Sequence, residues 1–199
     1  QNFAMYEMTE NGKIINKYFP LKYNTTQGFE RHRFTRYNDL FLIEPNYGVD
    51  TIYSLGKDGL SARYKIDFGS KAFKNSVPEG FSSLAEFKLK SDFLYFHSVE
   101  GFIETSDWIY FRFTYQKMVY NVYYSKVFSK PFVSYVYPCP NCRLAPRWIS
   151  SQYKGDFIGF SNSHIVIETL KDCKEKDILQ EIINLKITDN PVMFLCSLK

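Results

Sequence analysis

Tyr53-Ser54-Leu55-Gly56-Lys57-Asp58-Gly59 reads as the end of a strand, a turn dipeptide tolerant of positive φ, and the start of a second strand. The same order occurs earlier as Tyr6-Glu7-Met8-Thr9-Glu10-Asn11-Gly12. Tyr6 matches Tyr53, Met8 matches Leu55, and Asn11-Gly12 matches Asp58-Gly59, all at one offset of 47 residues. A hairpin that recurs at about 40 to 50 residues is the spacing of propeller blades.

Working outward, Ala62, Tyr64, Ile66 and Phe68 alternate with Arg63, Lys65 and Asp67, which predicts a strand with one apolar face that Gly69 ends. The first copy continues as Lys13 to Phe19 and stops at Pro20. A longer β unit follows. Ile109, Phe111, Phe113 and Tyr115 share one face, and Trp108, Tyr110, Arg112 and Thr114 the other. A tight Gln116-Lys117 link leads to a return strand from Met118 to Tyr124. Aromatic residues on both faces predict a sheet packed between neighbouring sheets.

Further strands are expected at 40–44, 93–96, 156–160 and 192–198, with a proline-marked loop at Pro138, Pro140 and Pro146. The period changes between Glu168 and Lys186, where Ile178, Ile182 and Leu185 follow helical spacing. Thr169 with Asp172, and Asp177 with Gln180, resemble capping boxes. The expected architecture is all-β: about four propeller blades in one region over residues 1–199, with a helical insertion at 168–186.

Composition agrees. Sixteen Tyr, nineteen Phe and two Trp make 19% of the 199 residues, and such side chains favour pleated, half-buried surfaces. The net charge is +4, with Lys and Arg interspersed among Asp and Glu, unlike the clustered basic face that nucleic-acid binding needs. No run approaches the roughly 18 apolar residues that span a bilayer, and the N-terminus has no signal-peptide pattern. Gln1 to Tyr6 instead reads as the middle of a strand, so the chain is expected to begin inside a fold.

Two segments resemble the six-bladed β-propeller proteins abundant in Bacteroidetes. One is Thr51-Ile52-Tyr53-Ser54-Leu55 followed by Ala62-Arg63-Tyr64-Lys65-Ile66-Asp67-Phe68-Gly69. The other is the ending Asp189-Asn190-Pro191-Val192-Met193-Phe194-Leu195-Cys196-Ser197-Leu198-Lys199, where a helical stretch gives way to a last strand. The resemblance extends over most of residues 40–199. It implies export, often with an N-terminal lipid anchor, and no defined biochemical role. Such proteins are nearly twice as long and carry a Gly-Pro-Gly-Glu-like motif that is missing here. The chain is therefore identified as resembling the C-terminal part of such a ring.

Several groups qualify as chemistry. Cys139-Pro140-Asn141-Cys142 has the spacing of half a zinc site or a redox pair. No second Cys pair or His pair follows, so a plain surface loop is the better reading. Cys173 and Cys196 stand apart, and the four cysteines do not fix a redox compartment. His32, His97 and His164 are dispersed. Glu44, Asn46, Glu100, Glu104, Asn162 and His164 lie near strand ends, where side chains from several blades can meet around a channel metal.

Arg31-His32-Arg33-Phe34-Thr35-Arg36-Tyr37 interleaves arginine with aromatics, a combination suited to carboxylate, phosphate or sugar recognition. Arg31, Arg33, Arg36 and Tyr37 are thus the expected ligand-binding residues, although arginines also protect an edge strand from stray pairing. No nucleophile elbow, phosphate loop or dinucleotide fingerprint occurs. The sequence supports an exported binding scaffold for a protein or carbohydrate ligand, without cofactor, nucleic acid or transmembrane segment. A channel-metal hydrolase or lyase is the alternative.

Overall fold

The computed structural model describes residues 3–20, 34–44, 50–72, 86, 99–116, 118–134, 148–171, 186, 188 and 190–198. Among these, thirteen strands form four antiparallel sheets accompanied by one α-helix. The first sheet is a hairpin of β1 (Phe3–Met8) and β2 (Ile14–Pro20). The second runs in order through β3 (Phe34–Tyr37), β4 (Leu40–Ile43), β5 (Thr51–Gly56) and β6 (Gly59–Lys65). The third is the meander of β7 (Glu100–Glu104), β8 (Trp108–Tyr115), β9 (Met118–Ser125) and β10 (Lys130–Ser134). The fourth places β12 (Asp156–Ser161) between β11 (Trp148–Tyr153) and β13 (Val192–Cys196). Four sheets are what a run of about four blades requires.

The 47-residue repeat is a repeat of hairpins. Tyr6 lies on β1 opposite Lys17, and Tyr53 lies on β5 opposite Ala62. Gly12 takes φ +79° and Gly59 φ +92°, so the matched glycines turn the chain in the same left-handed region. The first turn closes when the Gly12 amide donates to the Thr9 carbonyl at 2.9 Å.

The second hairpin is shorter than its alternation predicts. β6 ends at Lys65. The Asp67 carboxylate accepts the Gly69 amide at 2.7 Å, and Gly69–Lys71 coils into a 3-10 turn. A local Asp-to-backbone bond here outcompetes strand extension. β7, β10 and β11 were not expected from the sequence; at β10 Pro131 near the start weakens the strand signal. The β11–β12 turn is set by Lys154 (φ +51°) and Gly155 (φ +92°), a mirror-image turn that matches strand twist.

The helix α1 spans Ser163–Lys171 and begins five residues before the expected Glu168. The amides of Ile165 and Val166 both donate to the Asn162 carbonyl, at 3.0 and 3.2 Å. Ile165-Val166-Ile167 is β-branched and hides this first turn from a propensity reading. Thr169 lies inside α1 and not at its start. The expected strand at 93–96, the proline loop and residues 172–185 lie outside the described residues.

The chain divides into two compact units, Gln1–Phe102 with Arg112–Val119, and Ile103–Phe111 with Tyr120–Lys199. In the first unit Leu42, Ile43, Ile52, Phe102 and Phe113 are buried. Tyr64 lies 5.7 Å from Phe102, and Phe68 lies 5.5 Å from Phe113, measured between ring centroids. In the second unit Ile103, Tyr110, Tyr123, Ile149 and Phe157 form the core, with Trp108, Cys196 and Leu198 against it. Tyr110 sits 5.2 Å from Tyr123 and 5.7 Å from Phe157, offset and tilted as aromatic quadrupoles prefer. Its hydroxyl donates to Asn121 Oδ1 at 2.9 Å, which satisfies both buried polar groups. Ile109, Tyr110, Phe111 and Phe113 are all buried, so β8 is covered on both faces, as its aromatic content predicts.

Candidate functional site

Strand β3 carries the described part of the Arg-aromatic stretch, and its side chains alternate between exposed and half-buried. Arg36 points outward. Its Nε donates to the Asn38 carbonyl at 3.0 Å, and its guanidinium lies 3.9 Å from Asp39. Both partners are solvated, so this pair contributes little beyond steadying the β3–β4 turn.

Tyr37, one residue on, faces the other side of the strand. There the Arg63 guanidinium lies 5.6 Å from the Tyr37 ring and 5.2 Å from the Tyr64 ring. The sequence pairs Tyr37 with its neighbour Arg36; the fold pairs it with Arg63 from β6. Arg31 and Arg33 lie outside the described residues, as do Cys139, Cys142, Asn46, His32 and His97.

Glu44, directly after β4, is buried at 8% exposure. Its carboxyl accepts the Gly101 amide at 3.2 Å and the Phe102 amide at short range. Gly101 takes φ +64°, which lets two successive N–H groups converge on one carboxyl as in an anion-binding nest. Thr35 completes the junction by donating its hydroxyl to the Phe102 carbonyl at 2.8 Å. Burial pushes the Glu44 carboxyl up to about 8, against the two amide bonds and Arg112, which favour the anion; Glu100 pushes it further up. Arg112 lies 3.9 Å from Glu100, and its own Nε is buried without a hydrogen-bond partner.

The second buried acid is Glu104, 1% exposed. Lys126 Nζ donates to Glu104 Oε1 and to the Thr105 carbonyl, both at 2.6 Å. The Lys126 amide also donates to the Asp107 carbonyl at 2.8 Å. These bonds clamp the β7–β8 turn to the residue that follows β9. A buried carboxylate is tolerated because the ammonium and its second acceptor complete the set. The sequence nominated Glu104 as a metal ligand but gave no sign of Lys126, since the pair is 22 residues apart and obeys no local spacing.

Asn162 uses its carbonyl on the first turn of α1, and His164 is exposed on that helix. Cys196 is half-buried and free; burial, with Asp156, pushes its thiol above its usual value. Among the described residues no three His, Cys, Asp or Glu side chains gather as metal ligands. No described helix is long and apolar enough to cross a membrane.

Known proteins place this architecture. The crystal structure of a Bacteroides fragilis protein, described as a candidate exported protein, superposes with a TM-score of 0.71 at 14% sequence identity. The match covers 99% of this chain and 58% of that one, so the chain spans little more than half its neighbour's length. No curated protein matches the sequence. The sequence profile of the family described as 6-bladed beta-propeller, DUF5128, matches residues 1–143, and the chain belongs to that family.

Proposed function

We propose that this chain is the binding portion of an exported, non-catalytic propeller that recognises carbohydrate through the Tyr37–Arg63–Tyr64 face. The observation that carries this reading is the guanidinium of Arg63 held over two tyrosine rings. Ring faces suit the apolar side of a sugar, and a fixed guanidinium offers forked donors to hydroxyls or a carboxylate. Arg36 faces the opposite side of β3 and takes no part in this face. Export is supported by the neighbour's description; a lipid anchor at the cell surface is what the family resemblance alone implies.

The metal-hydrolase reading is weaker, because Glu44 and Glu104 already have protein partners. Glu44 is occupied by the β7 backbone and Glu104 by Lys126. A thermal-shift screen against neutral and acidic oligosaccharides tests the proposal, since a ligand of the folded state raises Tm by mass action. At a ligand concentration of about 100 Kd the stabilisation is about 2.7 kcal/mol. Arg63→Ala and Tyr37→Ala should each abolish the shift while folding unaided. A shift that survives both substitutions places the ligand elsewhere and overturns the assignment.

A further inference from the structure

The β9–β10 turn is built unlike a solvent turn. Lys126-Val127-Phe128-Ser129 closes between the paired residues Ser125 and Lys130. Turn positions usually select small or polar side chains. Here Val127 is 68% exposed and Phe128 70%, adjacent and both projecting from the tip.

The tip is also fixed. The Phe128 amide donates to Ser125 Oγ at 3.2 Å, Ser129 takes φ +51°, and Lys126 is held by Glu104, Thr105 and Asp107. Two large apolar side chains are therefore displayed on a turn that these bonds hold at its base.

Two side chains cover far less than the roughly 800 Å² per partner of a stable protein interface. They do suit shallow insertion at the boundary between lipid headgroups and acyl chains. Lys130 supplies the cation for such a surface when it is anionic, since Lys126 is engaged by buried Glu104 and exposed Asp107 lies across the Lys126 amide bond. Between Asp107 and Asp156 the sequence contains no acidic residue, and Lys130 stands immediately beside the tip with its ammonium 5.9 Å from the Phe132 ring. We propose that the β9–β10 turn seats the protein on an anionic lipid surface, with Val127 and Phe128 entering the interface and Lys130 facing the headgroups.

The proposal is independent of the carbohydrate reading, and its test uses the full chain. Vesicles of phosphatidylcholine alone are compared with vesicles that also contain phosphatidylglycerol, by co-sedimentation. The wild type should bind the anionic vesicles, and Val127→Ser with Phe128→Ser should weaken binding by at least about tenfold. Lys130→Ala should weaken it by about fivefold on anionic vesicles only. All three positions are exposed, so unchanged Tm values separate loss of binding from loss of fold. Phe128→Trp supplies the second readout: its added emission should shift to the blue when anionic vesicles are present. Failure of the wild type to bind, equal binding by the double variant, or unshifted Trp emission overturns the proposal. Concentration-dependent self-association that the double variant abolishes overturns it as well, by making a second copy the occupant.

Discussion

Raising the pH from 5 to 9 should destabilise the wild-type chain far more than the Glu44→Gln variant. The folded Glu44 carboxyl titrates near 8, whereas an unfolded one titrates near 4.5. Between these values the folded state holds a proton that the unfolded chain has released, so each rise in pH favours unfolding. The stabilisation is complete below about 4.5 and is lost as the pH passes through about 8. Each tenfold difference in proton affinity carries about 1.4 kcal/mol, which makes the whole window worth on the order of 5 kcal/mol.

Glutamine keeps the shape but cannot ionise. Its amide nitrogen would oppose one of the two backbone amides, so at pH 5 the variant should be less stable by about 1 kcal/mol. At pH 9 the order should reverse. Urea unfolding at several pH values reads the difference between the two proteins, which cancels groups that titrate in both. Parallel curves would mean that Glu44 is not the buried, proton-holding group of the β4–β7 junction.

The next largest effect is expected at the centre of the second unit. Phe157 is 1% exposed and touches the rings of both Tyr110 and Tyr123, at centroid distances of 5.7 and 6.1 Å. Truncation to alanine removes that burial and leaves a cavity that the paired strand β12 cannot collapse around. A loss of about 3 to 5 kcal/mol follows. Met193 provides the contrast. It lies on the adjacent strand β13, opposite Phe160, but is 64% exposed. Met193→Ala should stay within about 0.5 kcal/mol. Similar losses at the two positions would contradict the placement of the core.

What was legible in the sequence had a period or a turn signature. Tyr6 and Tyr53 announced their hairpins because a positive-φ glycine follows each at the same distance. The aromatic alternation of β8 announced a strand covered on both faces. The misses are local competitions. Asp67 captured the Gly69 amide and stopped β6 early, Pro131 obscured β10, and three β-branched residues obscured the start of α1.

The candidate site was less readable, for a geometric reason. Partners of a side chain on a sheet come from strands that are close in space at no fixed sequence distance. Tyr37 meets Arg63, Glu44 meets Gly101 and Phe102, and Glu104 meets Lys126. The sequence offered Glu44 and Glu104 only as channel-metal candidates at strand ends, and their partners lie beyond the reach of any motif. Those partners also change the meaning of the acids. Residues with the right identity for a channel metal are engaged in joining strands.

The central claim is therefore that Glu44 and Glu104 serve the fold rather than a channel metal. Calorimetric titration of the full chain with calcium, manganese and zinc tests it most directly, with Glu44→Gln and Glu104→Gln alongside. The account predicts that neither substitution changes the heat of metal addition. Saturable one-to-one binding in the wild type that either substitution abolishes would contradict it and restore the metal enzyme.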